Sequence, residues 1–139
     1  METIPKGRRV VIVAHEYRPF TGGIANYVHE VATTLASQRV QVEIVAPSYG
    51  GDQSGGETGL RVRRFLRHSH VTAATLCRAI GFILGSRDAV FHAADIRSAV
   101  VLRIARCLGG PPYLVSIHGT DVIGLWKPNP AYALARWAC

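Results

Sequence analysis

Three polar runs, each following an apolar, strand-like segment, hold the residue types that bind phosphates and sugar hydroxyls. His15-Glu16 and the pair Gly22-Gly23 follow the first such segment, His92 to Asp95 follow a later one, and His118-Gly119-Thr120-Asp121 follow the last. Adjacent glycines ahead of a helix let backbone N–H groups approach a ligand with no Cβ in the way, and the helix start carries partial positive charge. Gly22 and Gly23 therefore suit an anion or a sugar hydroxyl, and they equally suit a loop that needs glycine for its backbone alone. His118 can donate a hydrogen bond to a substrate hydroxyl or phosphate, or it can be a packed histidine closing a strand. Asp121 can orient His118 or bind ligand, and Thr120 or Asp121 can instead cap the next turn. His92, close to Asp95, repeats the arrangement and reads as structural. His15 and Glu16 can line a cleft.

Several chemistries are excluded by spacing. The His15-Glu16 pair does not complete H-e-x-x-H, because position 19 is Pro. No G-x-G-x-x-G follows the first apolar run and no G-x-x-x-x-G-K-[ST] occurs, which argues against a dinucleotide-binding dehydrogenase and a P-loop enzyme. Cys77, Cys107 and Cys139 are widely spaced and odd in number, so neither a disulfide framework nor a zinc site is expected, and reduced thiols in a cytoplasmic protein are the simple reading. No metal site is expected.

The elements that must position these residues alternate. Val10 to Ala14 is a β-branched, unbroken apolar run, the pattern of a strand covered on both faces in a parallel sheet. Ile24, Tyr27, Val28, Val31 and Leu35 keep helical spacing. Val40 to Ala46 reads as a second strand closed by Pro47, Ser48 to Gly59 as a glycine-rich loop, and Leu60 to Leu66 as an edge strand. A helix over 71–84 presents Ala73, Leu76, Cys77, Ile80, Ile83 and Leu84 as its apolar face. A short strand over 88–92, a helix over 96–108 stopped by Gly109-Gly110, a buried strand over 113–117 and a helix from Ala131 complete the order. That alternation predicts an α/β, Rossmann-like, doubly wound and mainly parallel sheet with helices on both faces, with the polar runs meeting beyond the strands' carboxyl ends.

The 139 residues suit one domain, and 48% hydrophobic residues against 18% charged ones supply a core. A formal net charge of +7 favours anionic partners. The basic stretch Arg61, Arg63, Arg64 and Arg67, with His68 and His70, suits an anionic acceptor or acidic lipid headgroups, or else a charged edge strand. Phe82, assigned to the face opposite the apolar stripe and near Arg78, would add the apolar component a surface-dipping helix needs. Nothing approaches the roughly 18 apolar residues of a membrane span. No nucleic-acid motif or aromatic stacking platform is present, so nucleic acid is not an expected partner.

Val10-Val11-Ile12-Val13, Tyr17-Arg18-Pro19 and Gly22-Gly23-Ile24-Ala25-Asn26-Tyr27-Val28 resemble the opening of family 4 glycosyltransferases. The strand 113–117 followed by His118-Gly119-Thr120-Asp121 resembles that family's second N-terminal signature. The resemblance spans essentially the whole chain and implies the acceptor-side, N-terminal half of a retaining GT-B enzyme. It implies a nucleotide-sugar donor used without a metal, Gly22 and Gly23 close to the donor diphosphate and sugar, and His118 in contact with the transferred sugar, with Asp121 beside it. It also implies a second, C-terminal donor domain with a basic pair and Glu-x7-Glu. No Glu-x7-Glu occurs in these residues, and the final helix runs to Cys139 where the family continues with another strand. The expectation is therefore an N-terminal domain incomplete at its C-terminus, inactive alone, cytoplasmic, and in peripheral contact with the inner face of a membrane if the basic stretch meets lipid. A non-catalytic module for an anionic ligand or acidic membrane is the alternative.

Overall fold

The computed structural model describes residues 9–49, 60–67, 72–126 and 129–139, except the side chains of residues 65–67, 120, 121, 124 and 131. Most of the glycine-rich segment, together with His68 and His70, lies outside the described residues. Strands β1 (Arg9–Val13), β2 (Gln41–Ser48), β3 (Arg61–Arg67), β4 (Val90–Ala93) and β5 (Tyr113–Val115) form one sheet in the order β3-β2-β1-β4-β5. Every pairing in it is parallel. Helices α1 (Gly23–Ser37), α2 (Ala73–Gly85), α3 (Ile96–Cys107), α4 (Thr120–Trp126) and α5 (Ala133–Ala138) accompany it, with a 3-10 turn at Pro130–Tyr132.

Strand alternation divides the core between the two faces. Val10, Ile12, Ile44 and Ala46 pack with Val28 and Ala32 of α1. Val11, Val13, Val45 and Phe91 pack with Ala79 and Ile83 of α2, Ala99 and Leu102 of α3, and Ala138 of α5. Each apolar residue of β1 thus serves one face or the other, which is why the run has no polar interruption. α3 begins on Asp95, whose carboxylate accepts from Ser98 N–H at 2.8 Å. It ends with Gly109 N–H donating to the Arg106 carbonyl and Gly110 N–H to the Ala105 carbonyl, which also accepts from Leu108 N–H at 3.1 Å, so the turn supplies donors to carbonyls of the last helical turn.

Four expectations are corrected. Pro47 does not close β2. The strand continues to Ser48, because its pairing with β3 slips between Ala46 and Pro47, and a bulge is where an interior strand tolerates a residue without N–H. The last strand is not buried: β5 borders the described sheet, and Leu114 is 64% exposed. α2 keeps Ile80 and Ile83 of its expected face on the core, but Ala73 and Cys77 of that face are exposed, and Ala79 is buried instead. Phe82 packs inward, edge-on to Phe91 at 6.5 Å between ring centroids, with the Arg63 guanidinium over it at 4.9 Å. It supplies no outward apolar residue for lipid. Helix α2 is apolar around most of its circumference, so spacing alone does not select its face.

A buried carboxylate explains how arginines come to line this side. Glu43 in β2 is 3% exposed and is surrounded by Arg9 at 2.9 Å, Arg63 through a short Nε contact, and Arg61 at 3.5 Å. Arg9 also donates to Ser86 Oγ at 2.7 Å. A charge removed from water needs such partners to be tolerated.

Candidate functional site

Because all five strands run the same way, their carboxyl ends share one rim. Chain direction across the sheet reverses between β1 and β4, since β2 and β3 extend on one side and β5 on the other. Such a reversal opens a crevice at the carboxyl rim where doubly wound sheets bind ligands. The polar runs after β1, β4 and β5 all reach this rim.

On the β1 side, His15 and Asp95 face each other across the reversal. His15 N–H donates to Asp95 Oδ2 at 2.9 Å, and His15 Nδ1 lies 3.3 Å from Asp95 Oδ1. Ser98 Oγ adds a third donor at 2.9 Å. Burial by itself would raise the Asp95 pKa, but the His15 ring, the His15 N–H and the Ser98 N–H outweigh it and hold the carboxyl below its ordinary value. His15 Nε2 lies 3.5 Å from Glu16 Oε1. The loop then turns back on Gly22, where an added Cβ would stand 2.7 Å from Glu16 Oε2 and 2.7 Å from the Phe20 ring. A side chain at Gly22 would therefore have to displace the Glu16 carboxylate and the Phe20 ring. At Gly23 a Cβ meets nothing within 4 Å, and Gly23 opens α1 at an exposed position. The loop is fastened from three other elements. Tyr49 Oη accepts from Tyr17 N–H at 3.1 Å, Tyr17 Oη lies 3.4 Å from His29 Nδ1, and Arg64 donates to the carbonyls of Arg18 at 2.6 Å and Pro47 at 3.0 Å.

On the β5 side, Ser116 N–H extends the ladder to the Ala93 carbonyl at 2.9 Å. Its Oγ joins two side chains: Tyr27 Oη at 2.8 Å and His92 Nε2 at 2.8 Å. The Tyr27 ring meets His118 at 4.4 Å between centroids, inclined at 61°. His118 Nε2 is buried without a hydrogen-bond partner among the described residues. Gly119 follows in the left-handed region at φ +54°, which glycine adopts without strain, and α4 begins at the next residue. Asp121 falls in the first turn of α4, and its side chain lies outside the described residues.

Tyr27 thus links the helix that starts at Gly22-Gly23 to His118 at the end of β5. The four arginines are not gathered with them. Arg61 and Arg63 turn to Glu43, Arg64 holds the β1 loop, and the Arg67 side chain lies outside the described residues. Sequence reasoning did not single out Tyr27 or Ser116. Tyr27 sits at an ordinary apolar position of α1, and Ser116 lies in a run assigned to a buried strand. Asp95 carried a usable signal, since Asp three residues before Ser, at the start of an apolar helix, is a capping pattern.

The charges at this rim are coupled. Burial, and then the neighbouring His118, hold the His92 pKa below its ordinary 6.5. The unfolded chain therefore binds this proton more readily, so stability is kept above pH 6.5 and declines as pH falls below it. Substituting His118→Asn is expected to move the His92 titration midpoint upward in ring-proton NMR. An unmoved midpoint would show the two rings to be uncoupled.

A parallel, doubly wound sheet with a polar carboxyl rim at its direction reversal defines a Rossmann-like ligand-binding domain. Residues 22–139 match the family model of the glycosyl transferase 4-like domain. The chain belongs to that family, and it is a glycosyltransferase-type domain. A comparison with curated proteins finds no match. Among the described residues no helix is long and apolar enough to cross a membrane, and no group of three or more His, Cys, Asp or Glu side chains is placed to hold a metal ion.

Proposed function

We propose that this chain is the acceptor-side part of a retaining glycosyltransferase that moves a hexosyl group from a nucleotide-sugar to an acceptor hydroxyl. The observation that carries this reading is the meeting, through Tyr27, of the α1 start with His118 at the rim where the sheet's direction reverses. Gly22 and Gly23 turn the positive end of α1 toward the donor diphosphate, and Gly23 leaves open space that its own fold does not need. His118 offers a ring nitrogen to a hydroxyl of the transferred sugar, with Asp121 beside it. No metal takes part, and the developing negative charge rests on the leaving diphosphate. The donor's nucleotide is held by a second α/β domain, without which these residues do not turn over. The protein works in the cytoplasm. Peripheral contact with acidic lipid would have to be electrostatic, since Phe82 is turned inward and Arg63 and Arg64 are engaged within the domain.

Titration of the chain with UDP-, GDP- and ADP-glucose tests the reading. At least one is expected to shift the amide signals of Gly22, Gly23 and His118 together. No response to any of the three once this domain is joined to its donor domain would overturn it, and so would sugar transfer by the chain alone. In a protein joining this domain to its donor domain, His118→Ala is expected to lower turnover by more than about tenfold, the cost of one charge-assisted hydrogen bond of roughly 1.5–3 kcal/mol. Gly23→Val is expected to raise the apparent donor KM.

A further inference from the structure

We propose that Tyr27 is the positioning residue for His118, and that Ser116 and His92 lock Tyr27 in place. The proposal rests on reading His118 as the group that meets the transferred sugar. His118 follows the last residue of β5 by three positions and precedes a glycine in the left-handed region. Its backbone is therefore outside the ladder, and its ring needs support from elsewhere. It packs against the inclined Tyr27 ring at 4.4 Å between centroids. At that separation and tilt, aromatic rings attract through their charge distribution and restrict one another's rotation.

Tyr27 is itself held at both ends. Its Cα belongs to α1, whose neighbouring residue Val28 is fully buried against the sheet. Its hydroxyl is bound to Ser116 Oγ, and Ser116 is bound to His92 Nε2. Ser116 is fixed in turn by its backbone bond to Ala93, and His92 by its place in β4 opposite Ile12. With the proton of a neutral His92 on Nδ1, Nε2 accepts from Ser116 and the Ser116 oxygen accepts from the Tyr27 hydroxyl; the other tautomer reverses both bonds and keeps the same three side chains joined. The Tyr27 ring also stands edge-on to His92 at 6.1 Å, so a single side chain spans both histidines. Packing alone would be served by phenylalanine, which carries no hydroxyl to satisfy, whereas a buried tyrosine hydroxyl needs a partner. Here the hydroxyl ties a helix on one face to the ends of two strands, and the ring packs against the imidazole that follows β5.

The test is side-chain NMR of the histidines in the ligand-free chain, with UDP-, GDP- and ADP-glucose added afterwards. Tyr27→Leu is expected to remove the ring-current displacement of the His118 ring protons and to leave that ring averaging between rotamers, with the amide signals of Val11, Val45 and Phe91 unchanged. Tyr27→Phe, which keeps the ring, is expected to restore most of the displacement. Ser116→Ala keeps the ring but removes both hydrogen bonds, and it serves equally should the leucine variant fail to fold. It is expected to broaden the His118 signals through Tyr27, which joins the two residues. Affinity for a nucleotide-sugar that binds the unaltered chain is expected to fall about tenfold in Tyr27→Leu and less than threefold in Tyr27→Phe. His118 ring signals that are the same in all three variants would overturn the positioning role. If no nucleotide-sugar binds even with the donor domain joined, the transfer reading fails, while the ring signals still decide what holds His118.

Discussion

Glu43→Ala is expected to lower the unfolding free energy by about 2–3 kcal/mol. Removing one partner from a buried ion pair leaves the other charge uncompensated, at a cost of roughly 3–5 kcal/mol. Here the remaining charges are only partly trapped. Arg61 is 69% and Arg63 36% exposed, so both can turn to water, whereas Arg9 at 24% keeps Ser86 and, at 3.8 Å, Asp88. That relief is why a loss below that range is expected. Arg63 also covers Phe82, so its release uncovers an aromatic ring as well as a charge. Glu43→Gln keeps the shape and one acceptor and should lose clearly less. Urea unfolding with an unchanged slope is the measurement. A loss below about 0.5 kcal/mol, the range of an ordinary surface substitution, would show that the three arginines need no buried counterion.

Glu43 also shows where the sequence stops being informative. Its neighbours Val42, Ile44 and Val45 mark a strand, and the alternation says that Glu43 faces the same side as Val45. Nothing local says that arginines from β1 and β3 will converge there, because those contacts exist only once three strands are in register. The strands themselves were legible, since β-branched runs between glycine-rich breaks admit little else, and α1 and α3 were legible from spacing and from the glycines after Leu108. The common rim follows from strand order alone, so the convergence of His15, Asp95 and His118 on it was a reasonable expectation. What fills the rim was less visible. Asp95 and His15 are 80 positions apart, and Tyr27 and Ser116 are 89 apart. Each pair is joined by sheet order, which residue type does not encode. The facing of α2 was legible only in part, at Ile80 and Ile83: with apolar residues on nearly every side, spacing does not predict that Phe82 turns in to Phe91 beneath the Arg63 guanidinium.

Asp95→Ala is expected to cost about 3 kcal/mol and to loosen the rim at the same time. Two losses combine. Removing an Asp cap from a helix costs roughly 1 kcal/mol, and the N–H of His15, part-buried at the end of the central strand, loses its acceptor at a further cost of about 1–3 kcal/mol. The two share one carboxylate, so they will not add fully. Asp95→Asn should separate them, because an amide oxygen can still cap Ser98 while the charge facing His15 is gone. The pH dependence gives an independent check. With the carboxyl held below its ordinary 3.8 in the folded protein, the unfolded chain takes up the proton first. The stability it contributes is complete above pH 3.8 and is lost as pH falls toward the folded value. Asp95→Asn should therefore flatten the acid limb of the stability profile, beyond any uniform offset. Because His15 leads directly into the loop that carries Gly22, the same variant should also spread amide-signal changes from His15 to Gly22, ahead of any ligand. An unaltered acid limb together with unshifted Gly22 would mean that Asp95 caps α3 and does nothing for the crevice.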